Sequence, residues 1–250
     1  MMLDLVVPFY NPQPGWEQKF VRQYLALVER YFGGNREAIH VIIVNDGSKN
    51  RFTALEVDYL KKHIPHLKAL CYEENKGKGH ALRTGVAHAI TDYCIYSDND
   101  FPFGLEVIPA MLQELQNGAD IVTGRRTRGN YYEALPLKRK LVSKGLELVN
   151  KHVLRLPVTD TQAGIKGFNK YGRALFLKTR TERFLFDMEF IMIAGRIRDL
   201  VIRELDVNIT EETRLSDFSR RILQQECTNL VKIILRKKHA KQSKEDLIQR

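Results

Sequence analysis

Two carboxylates flank one amide in Asp98-Asn99-Asp100, two residues after the apolar run Tyr93-Cys94-Ile95. A plain turn needs one Asp or Asn to bond its own backbone, so a second acid calls for another reason. Hard divalent cations such as Mg²⁺ or Mn²⁺ prefer carboxylate oxygen, and commonly take one or two protein carboxylates plus a ligand's phosphates. Without a cation, two adjacent anions in a partly buried cleft raise each other's pKa. The spacing favours a metal–nucleotide site, with Asp100 and Asp98 as metal ligands, over a loop of exposed acids.

Other residues could serve such a site. Val44-Asn45-Asp46-Gly47-Ser48 offers Asp46 in a tight turn. Taken alone it reads as an Asx-turn; the alternative is a carboxylate facing a ligand's N–H donors. Asn75 to Gly85, NKGKGHALRTG, combines Gly77 and Gly79 with Lys76 and Lys78 ahead of a helix. Glycines there would let backbone approach a ligand, and the helix would aim its N-terminus at phosphate. The stretch is neither a P-loop nor a G-x-G-x-x-G fingerprint. Arg125, Arg126 and Arg128 cluster further on, followed by Lys138, Arg139 and Lys140. Arginine forks match phosphate oxygens, although any single one is as well read as a solvated surface. Asp160, Asp187 and Glu189 lie in apolar surroundings, where a buried acid needs a partner. Helix capping explains Asp187 cheaply, since it precedes MEFIMIA. His80 and His88 lack the spacing of a helical metal pair.

The elements that must position these residues alternate. Leu3 to Phe9 and His40 to Val44 read as apolar strands, as do 67–72, 92–96 and 119–123. Between them, helical patterns start at Trp16 and run over 52–62, 79–90 and 105–116. Continuous apolar strands alternating with helices predict a parallel sheet covered on both faces, with ligands at the carboxyl ends of its strands. The second half is less regular: helix over 136–154, extended chain over 163–168, helix over 187–198, extended chain over 200–209. A last helix from about Asp217 to Leu235 shows Phe218, Ile222, Leu223, Leu230, Val231 and Ile234 on one face. The simplest division is a main domain over 1–212 and a basic amphipathic helix with a tail over 213–250.

At 250 residues and 44% hydrophobic content the chain suits a packed globular fold. It has no apolar stretch near the roughly 18 to 20 residues that cross a bilayer, and its start reads as a strand rather than a leader. Cys71, Cys94 and Cys227 are too scattered for a disulfide framework or a zinc site; Cys71 and Cys94 read as core, in a reducing compartment. The net charge of +10 implies an anionic partner. Without a basic stripe interleaved with aromatics, nucleic acid is not expected to be that partner.

Taken together, VVPFYN, VNDGS, NKGKGHALRTG, Asp98-Asn99-Asp100, Gly124-Arg125-Arg126, DTQAGIKGF and FLFDMEF occur in the order found in family 2 glycosyltransferases. The chain resembles that family, nearest to polyprenyl-phosphate glycosyltransferases of the dolichyl-phosphate glucosyltransferase and mannosyltransferase group, over about residues 3 to 210. The resemblance implies a GT-A fold: a mostly parallel central sheet flanked by helices. It implies a nucleotide-diphosphate sugar donor, UDP-glucose before others, with Mg²⁺ or Mn²⁺. Pro8, Tyr10 and Asp46 would hold base and ribose, Lys78 and Asp98 the ribose and diphosphate, and Asp100 the metal. Arg125 and Arg139 would face an acceptor phosphate, and Asp160, Gln162 and Asp187 would lie by the sugar. The expected acceptor is a polyprenyl or dolichyl phosphate, with a saccharide hydroxyl in cell-surface polysaccharide synthesis as the alternative. A lipid acceptor implies peripheral contact at the cytoplasmic face of a membrane, made by the 217–235 helix. In mannosyltransferase-like members a Gln two positions after the second Asp also binds metal; here Pro102 stands there.

Overall fold

The computed structural model describes residues 2–126, 145, 148–210, 220–235 and 242–247. Chain order begins β1 (Leu3–Phe9), α1 (Trp16–Tyr31), β2 (Ile39–Asp46), α2 (Ala54–His63), β3 (Leu67–Tyr72), α3 (Lys78–Val86), β4 (Tyr93–Tyr96), α4 (Val107–Gln116) and β5 (Ile121–Arg126). It continues with β6 (Lys166–Phe168), α5 (Lys170–Phe176), α6 (Phe186–Ala194), β7 (Ile197–Arg198), β8 (Ile202–Val207), α7 (Arg220–Leu235) and β9 (Gln242–Ser243).

The local reasons are legible in places. Helix α2 starts where Thr53 accepts a hydrogen bond from Leu55 N while Glu56 reaches back to Thr53 N, a reciprocal cap. Helix α1 buries Trp16, Phe20, Val21, Tyr24, Leu27 and Val28, the stripe its three-and-four spacing predicts.

The main sheet has the order β3-β2-β1-β4-β6-β5-β8. Every pairing in it is parallel except those of β6, which runs antiparallel between β4 and β5. One apolar layer packs α1 and α4 on one face; a second packs α3, α5 and α6 on the other. The antiparallel strand has a consequence for function. Its first residue, Lys166, sits opposite Tyr96 of β4 and Thr123 of β5. The chain leading into β6, residues 160–165, therefore arrives at the carboxyl edge of the parallel strands.

The structure differs from the sequence expectations at several points. Cys94 is buried as expected, but Cys71 is exposed on the outer strand β3. The predicted 187–198 helix stops at Ala194, and Ile197–Arg198 pairs instead with Gln242–Ser243 near the chain's end. In its described part the C-terminal segment packs against the rest of the chain. Ile233 is buried against Leu154, Leu185, Met188 and Met192, with Leu230 and Ile234 beside it, whereas Val231 points outward. Glu226 accepts a hydrogen bond from Leu185 N at the start of α6 (3.0 Å), and Lys244 pairs with the buried Asp120 at 2.7 Å. Most of the predicted 136–154 helix, Arg128, Lys138, Arg139, Lys140 and Phe218 lie outside the described residues. Among the described residues, no helix is long and apolar enough to cross a membrane.

Candidate active site

The carboxyl ends of β1, β2, β4 and β5 and the start of β6 bring most of the singled-out residues to one edge. Behind β1, Phe9, Trp16 and Phe52 form an aromatic cluster, with Trp16 and Phe52 stacked at 5.1 Å. Trp16 Nε1 donates to Arg51 O at 2.6 Å. Pro8 ends up half-buried in β1, and Tyr10 just beyond it is 54% exposed. Asn11 N donates to Ser48 Oγ at 2.8 Å, tying the two loops together.

Asp46 is buried, and its carboxylate is fully engaged by the protein. It accepts from Tyr72 OH (2.7 Å), Asn75 Nδ2 (2.8 Å), Lys76 N (2.8 Å) and Gly77 N (3.0 Å). It is thus neither a simple Asx-turn nor a carboxylate left open to a ligand: it moors the NKGKG loop to β2. Gly77 and Gly79 are also explained differently from the expectation. A Cβ on Gly77 would stand 2.6 Å from Glu182 O, and one on Gly79 2.5 Å from Thr181 O. His80 N donates to Glu182 O at 3.1 Å. These glycines make room for the protein's own 181–182 backbone. Glu189 holds that backbone from below, accepting from Arg180 N (2.9 Å) and Thr181 N (2.7 Å). Arg83 adds a bond to Thr181 O at 2.6 Å.

After Tyr96 the chain turns, with Phe101 N donating to Asp98 O at 3.1 Å, and the two acids lie near enough for the Asp98 charge to act on Asp100. Burial raises the Asp100 pKa, and the neighbouring Asp98 charge raises it further against Lys19 and Lys78. Asp98 is met by Lys78 at 2.5 Å. Burial would lower the Lys78 pKa, but Asp98 and Asp187 outweigh it and the ammonium is held. Phe101-Pro102-Phe103 leaves the site and enters the core; Phe101 stacks on Phe20 at 5.8 Å. Among the described residues no group of three acidic, His or Cys side chains forms a metal cage. A divalent cation with Asp100 and Asp98, completed by a ligand's oxygens, fits a carboxylate pair whose mutual repulsion and burial raise the Asp100 pKa.

Asp187 is not a cap. Helix α6 begins one residue earlier, with Leu185 at its cap position and no side-chain cap bond. The Asp187 carboxylate instead points inward: Oδ1 takes the Lys166 ammonium at 2.8 Å and the Tyr96 hydroxyl. Burial pushes the Asp187 pKa up and that of Lys166 down, and their mutual attraction opposes both shifts. Lys166, which sequence reading missed, is completely buried. The available signal was a lysine inside an apolar strand, IKGF.

Asp160 is held by Arg126 through Nε (2.7 Å), Nη2 (2.8 Å) and backbone N (3.1 Å), and accepts from Gln162 N at 2.9 Å. Burial would raise its pKa, but the Arg126 guanidinium brings it below the ordinary carboxylate value. Arg126, not Arg125, is therefore the inward arginine. Arg125 lies at the surface, donating to Asp206 at 2.6 Å. Gln162 is half-buried beside Thr161. Gly164 lies flat on the Lys78–Asp98 pair: a Cβ there would collide with Asp98 Oδ2 and stand 3.1 Å from Lys78 Nζ.

Comparisons with known proteins match this arrangement. The family model described as Glycosyl transferase family 2 matches residues 4–173. A dolichyl-phosphate beta-glucosyltransferase of Dictyostelium discoideum is 27% identical over 88% of this chain and 70% of that protein. A prophage bactoprenol glucosyl transferase homolog of Escherichia coli K12 is 30% identical over 80% of this chain and 62% of that one. The chain thus spans 62% to 70% of the length of these two curated relatives. Among solved structures, a glucosyl-3-phosphoglycerate synthase of Mycobacterium tuberculosis, crystallised with Mn²⁺, UDP-glucose and phosphoglyceric acid, superposes with a TM-score of 0.63 at 14% identity, covering 94% of this chain and 79% of that one. With 170 consecutive residues under one family model and this sheet beneath them, the chain belongs to glycosyl transferase family 2 and is a glycosyltransferase on the GT-A fold.

Proposed function

We propose that the enzyme moves a hexose from a UDP-glucose-like donor to a polyprenyl or dolichyl phosphate, with inversion at the anomeric carbon. The observation that carries the acceptor class is the state of the candidate bases. A hydroxyl acceptor needs a general base to take its proton. Asp160 is clamped by Arg126, and Asp187 by Lys166 and Tyr96. Protonating Asp160 strips the largely buried Arg126 of its counter-ion, at a cost of about 3 to 5 kcal/mol; Asp187, whose pKa burial raises, already gives its Oδ1 to Lys166 and Tyr96. A phosphate acceptor is already an anion at neutral pH and needs placement rather than deprotonation. The relatives' printed names, dolichyl-phosphate beta-glucosyltransferase and bactoprenol glucosyl transferase, support the same class.

In this reading Pro8 and the exposed ring of Tyr10 meet the base, with Asp46 acting through the loop it moors. Lys78 offsets charge on the diphosphate as the bond to the sugar breaks. Asp100 and Asp98 would hold Mg²⁺ or Mn²⁺, which supplies further neutralisation of the leaving diphosphate when bound. Gln162 and Asp187 wall the sugar. Arg125, released from Asp206, and Arg139 receive the acceptor phosphate. The positive chain, with Val231 and Leu235 exposed on α7, docks peripherally on an anionic membrane face. The test is transfer from labelled UDP-glucose and GDP-mannose, with and without Mn²⁺, to polyprenyl phosphate and to a soluble saccharide. Metal-dependent glucose transfer to the lipid phosphate is expected; transfer to the saccharide alone would reverse the acceptor assignment.

A further inference from the structure

We propose that Lys166 is a positioning residue of the transfer reaction, fixing Asp187 and the 161–163 backbone in the geometry that the donor sugar meets. This rests on the transferase reading above. An ammonium has three donors, and Lys166 directs them to Asp187 Oδ1 (2.8 Å), Thr161 O (3.0 Å) and Ala163 O (2.9 Å). One atom thereby joins helix α6 to the loop before β6. Its place in the sheet, between Tyr96 and Thr123, is one where an apolar side chain would serve the fold at least as well. Buried ion pairs are commonly neutral or unfavourable against well-packed apolar replacements. Stability alone therefore gives no reason for a cation here, whereas its place directly beneath the site does.

The lever arm is short. One residue beyond Ala163, Gly164 abuts Asp98 and Lys78, so a shift of the loop reaches the pair expected at the diphosphate. Tyr96, which ends β4 two residues before Asp98, donates to the same Asp187 oxygen. The groups facing Asp187 are Lys166 from β6, Tyr96 from β4 and Lys78 from α3; Asp160 is the next charge acting on Lys166.

The experiment compares wild type, Lys166→Met and Lys166→Gln. Readouts are UDP binding with Mn²⁺ by calorimetry, melting temperature, and kcat and KM from pH 6 to 9. Kinetics use whichever donor and acceptor the wild type turns over, so a wrong acceptor assignment does not blur this result. The expected outcome is UDP binding within about threefold of wild type, with kcat lowered by about 100-fold at pH 7, as for a misplacement of the order of 1 Å. In Lys166→Met, Asp187 without its ammonium retains a proton to higher pH, so kcat climbs with pH while the wild type stays level. Wild-type kcat in either folded variant overturns the proposal. So does a pH-independent loss in which UDP binding and kcat fall together, or failure of both variants to fold, since each makes Lys166 a prop of the fold only.

Discussion

Replacing Gly164 with Ala is the smallest perturbation that reaches the site without touching a charged residue. The added methyl would overlap Asp98 Oδ2 and lie 3.3 Å from Asp98 Cγ and 3.1 Å from Lys78 Nζ. Gly164 has no left-handed backbone angle to lose, so the effect is local crowding and not backbone strain. The loop cannot easily yield, because Lys166 grips Ala163 O and Thr161 O below it. Asp98 must give way instead; its side chain is 34% exposed. Restoring ordinary contact takes a displacement of about 1 Å. A displacement of that size at a reacting centre costs about 100-fold in rate, whereas the lost partly exposed ion pair contributes only about 1 kcal/mol of stability. Gly164→Ala should therefore melt within about 4 °C of wild type while kcat/KM for the nucleotide sugar drops about 100-fold. Gly167→Ala is the control: its methyl would stand 3.1 Å from Ile95 Cγ1 and 3.2 Å from Leu115 Cδ1, in the apolar core. It should lower the melting temperature and leave KM unchanged. Normal kcat/KM in Gly164→Ala would refute the placement of the Lys78–Asp98 pair at the donor.

Further expectations follow from the other clamps. Asp100→Asn should raise the melting temperature of metal-free protein, because it removes a charge that burial and Asp98 disfavour; the same variant should lose the Mn²⁺-dependent shift with UDP in a thermal-shift assay. Arg126→Ala leaves Asp160 without its counter-ion and should cost about 3 kcal/mol at pH 7 by urea unfolding. Because Arg126 depresses the Asp160 pKa, this stabilisation is present above the ordinary carboxylate value and is lost as pH falls through the depressed one. The gap between wild type and Arg126→Ala should therefore close in acid. Lys244→Ala removes one partner of the buried Asp120, which keeps Asn169 Nδ2 and Val201 N at 2.8 Å each; a loss of about 2 kcal/mol is expected by urea unfolding. Gly85→Ala drives a methyl into Val6 where α3 crosses the sheet, and should destabilise by about 2 kcal/mol.

The parallel half of the fold was legible because its strands are continuous apolar runs and its helices have strong periodicity. Leu3–Phe9 and Leu67–Tyr72 fall where the pattern puts them. The extended chain predicted over 163–168 holds β6, but its antiparallel place between β4 and β5 was not legible, since Lys166-Gly167-Phe168 is three residues long and carries no sign of its direction. The site residues were legible by type, but not by partner. Sequence spacing shows that acids and bases share an edge; it does not show which pairs close. Arg125 and Arg126 are adjacent, and strand alternation sends one outward to Asp206 and the other inward to Asp160. Asp187 read as a cap because caps are local, whereas its partners come from β4 and β6.

That pattern of closure bears on the chemistry. Three of the site's acids each hold a basic side chain or a moored loop: Asp46 the NKGKG loop, Asp160 Arg126, and Asp187 Lys166. Asp98 holds Lys78, the cation best placed for a diphosphate. In each case the carboxylate sets the position of something else, and proton uptake would release it. Asp100 differs: burial and the neighbouring Asp98 charge raise its pKa. An edge wired this way favours binding two anions and separating them with a cation, and it disfavours pulling a proton from an alcohol. On the proposed function, an acceptor that is already an anion asks least of these carboxylates, because none of them has to give up its partner to take a proton.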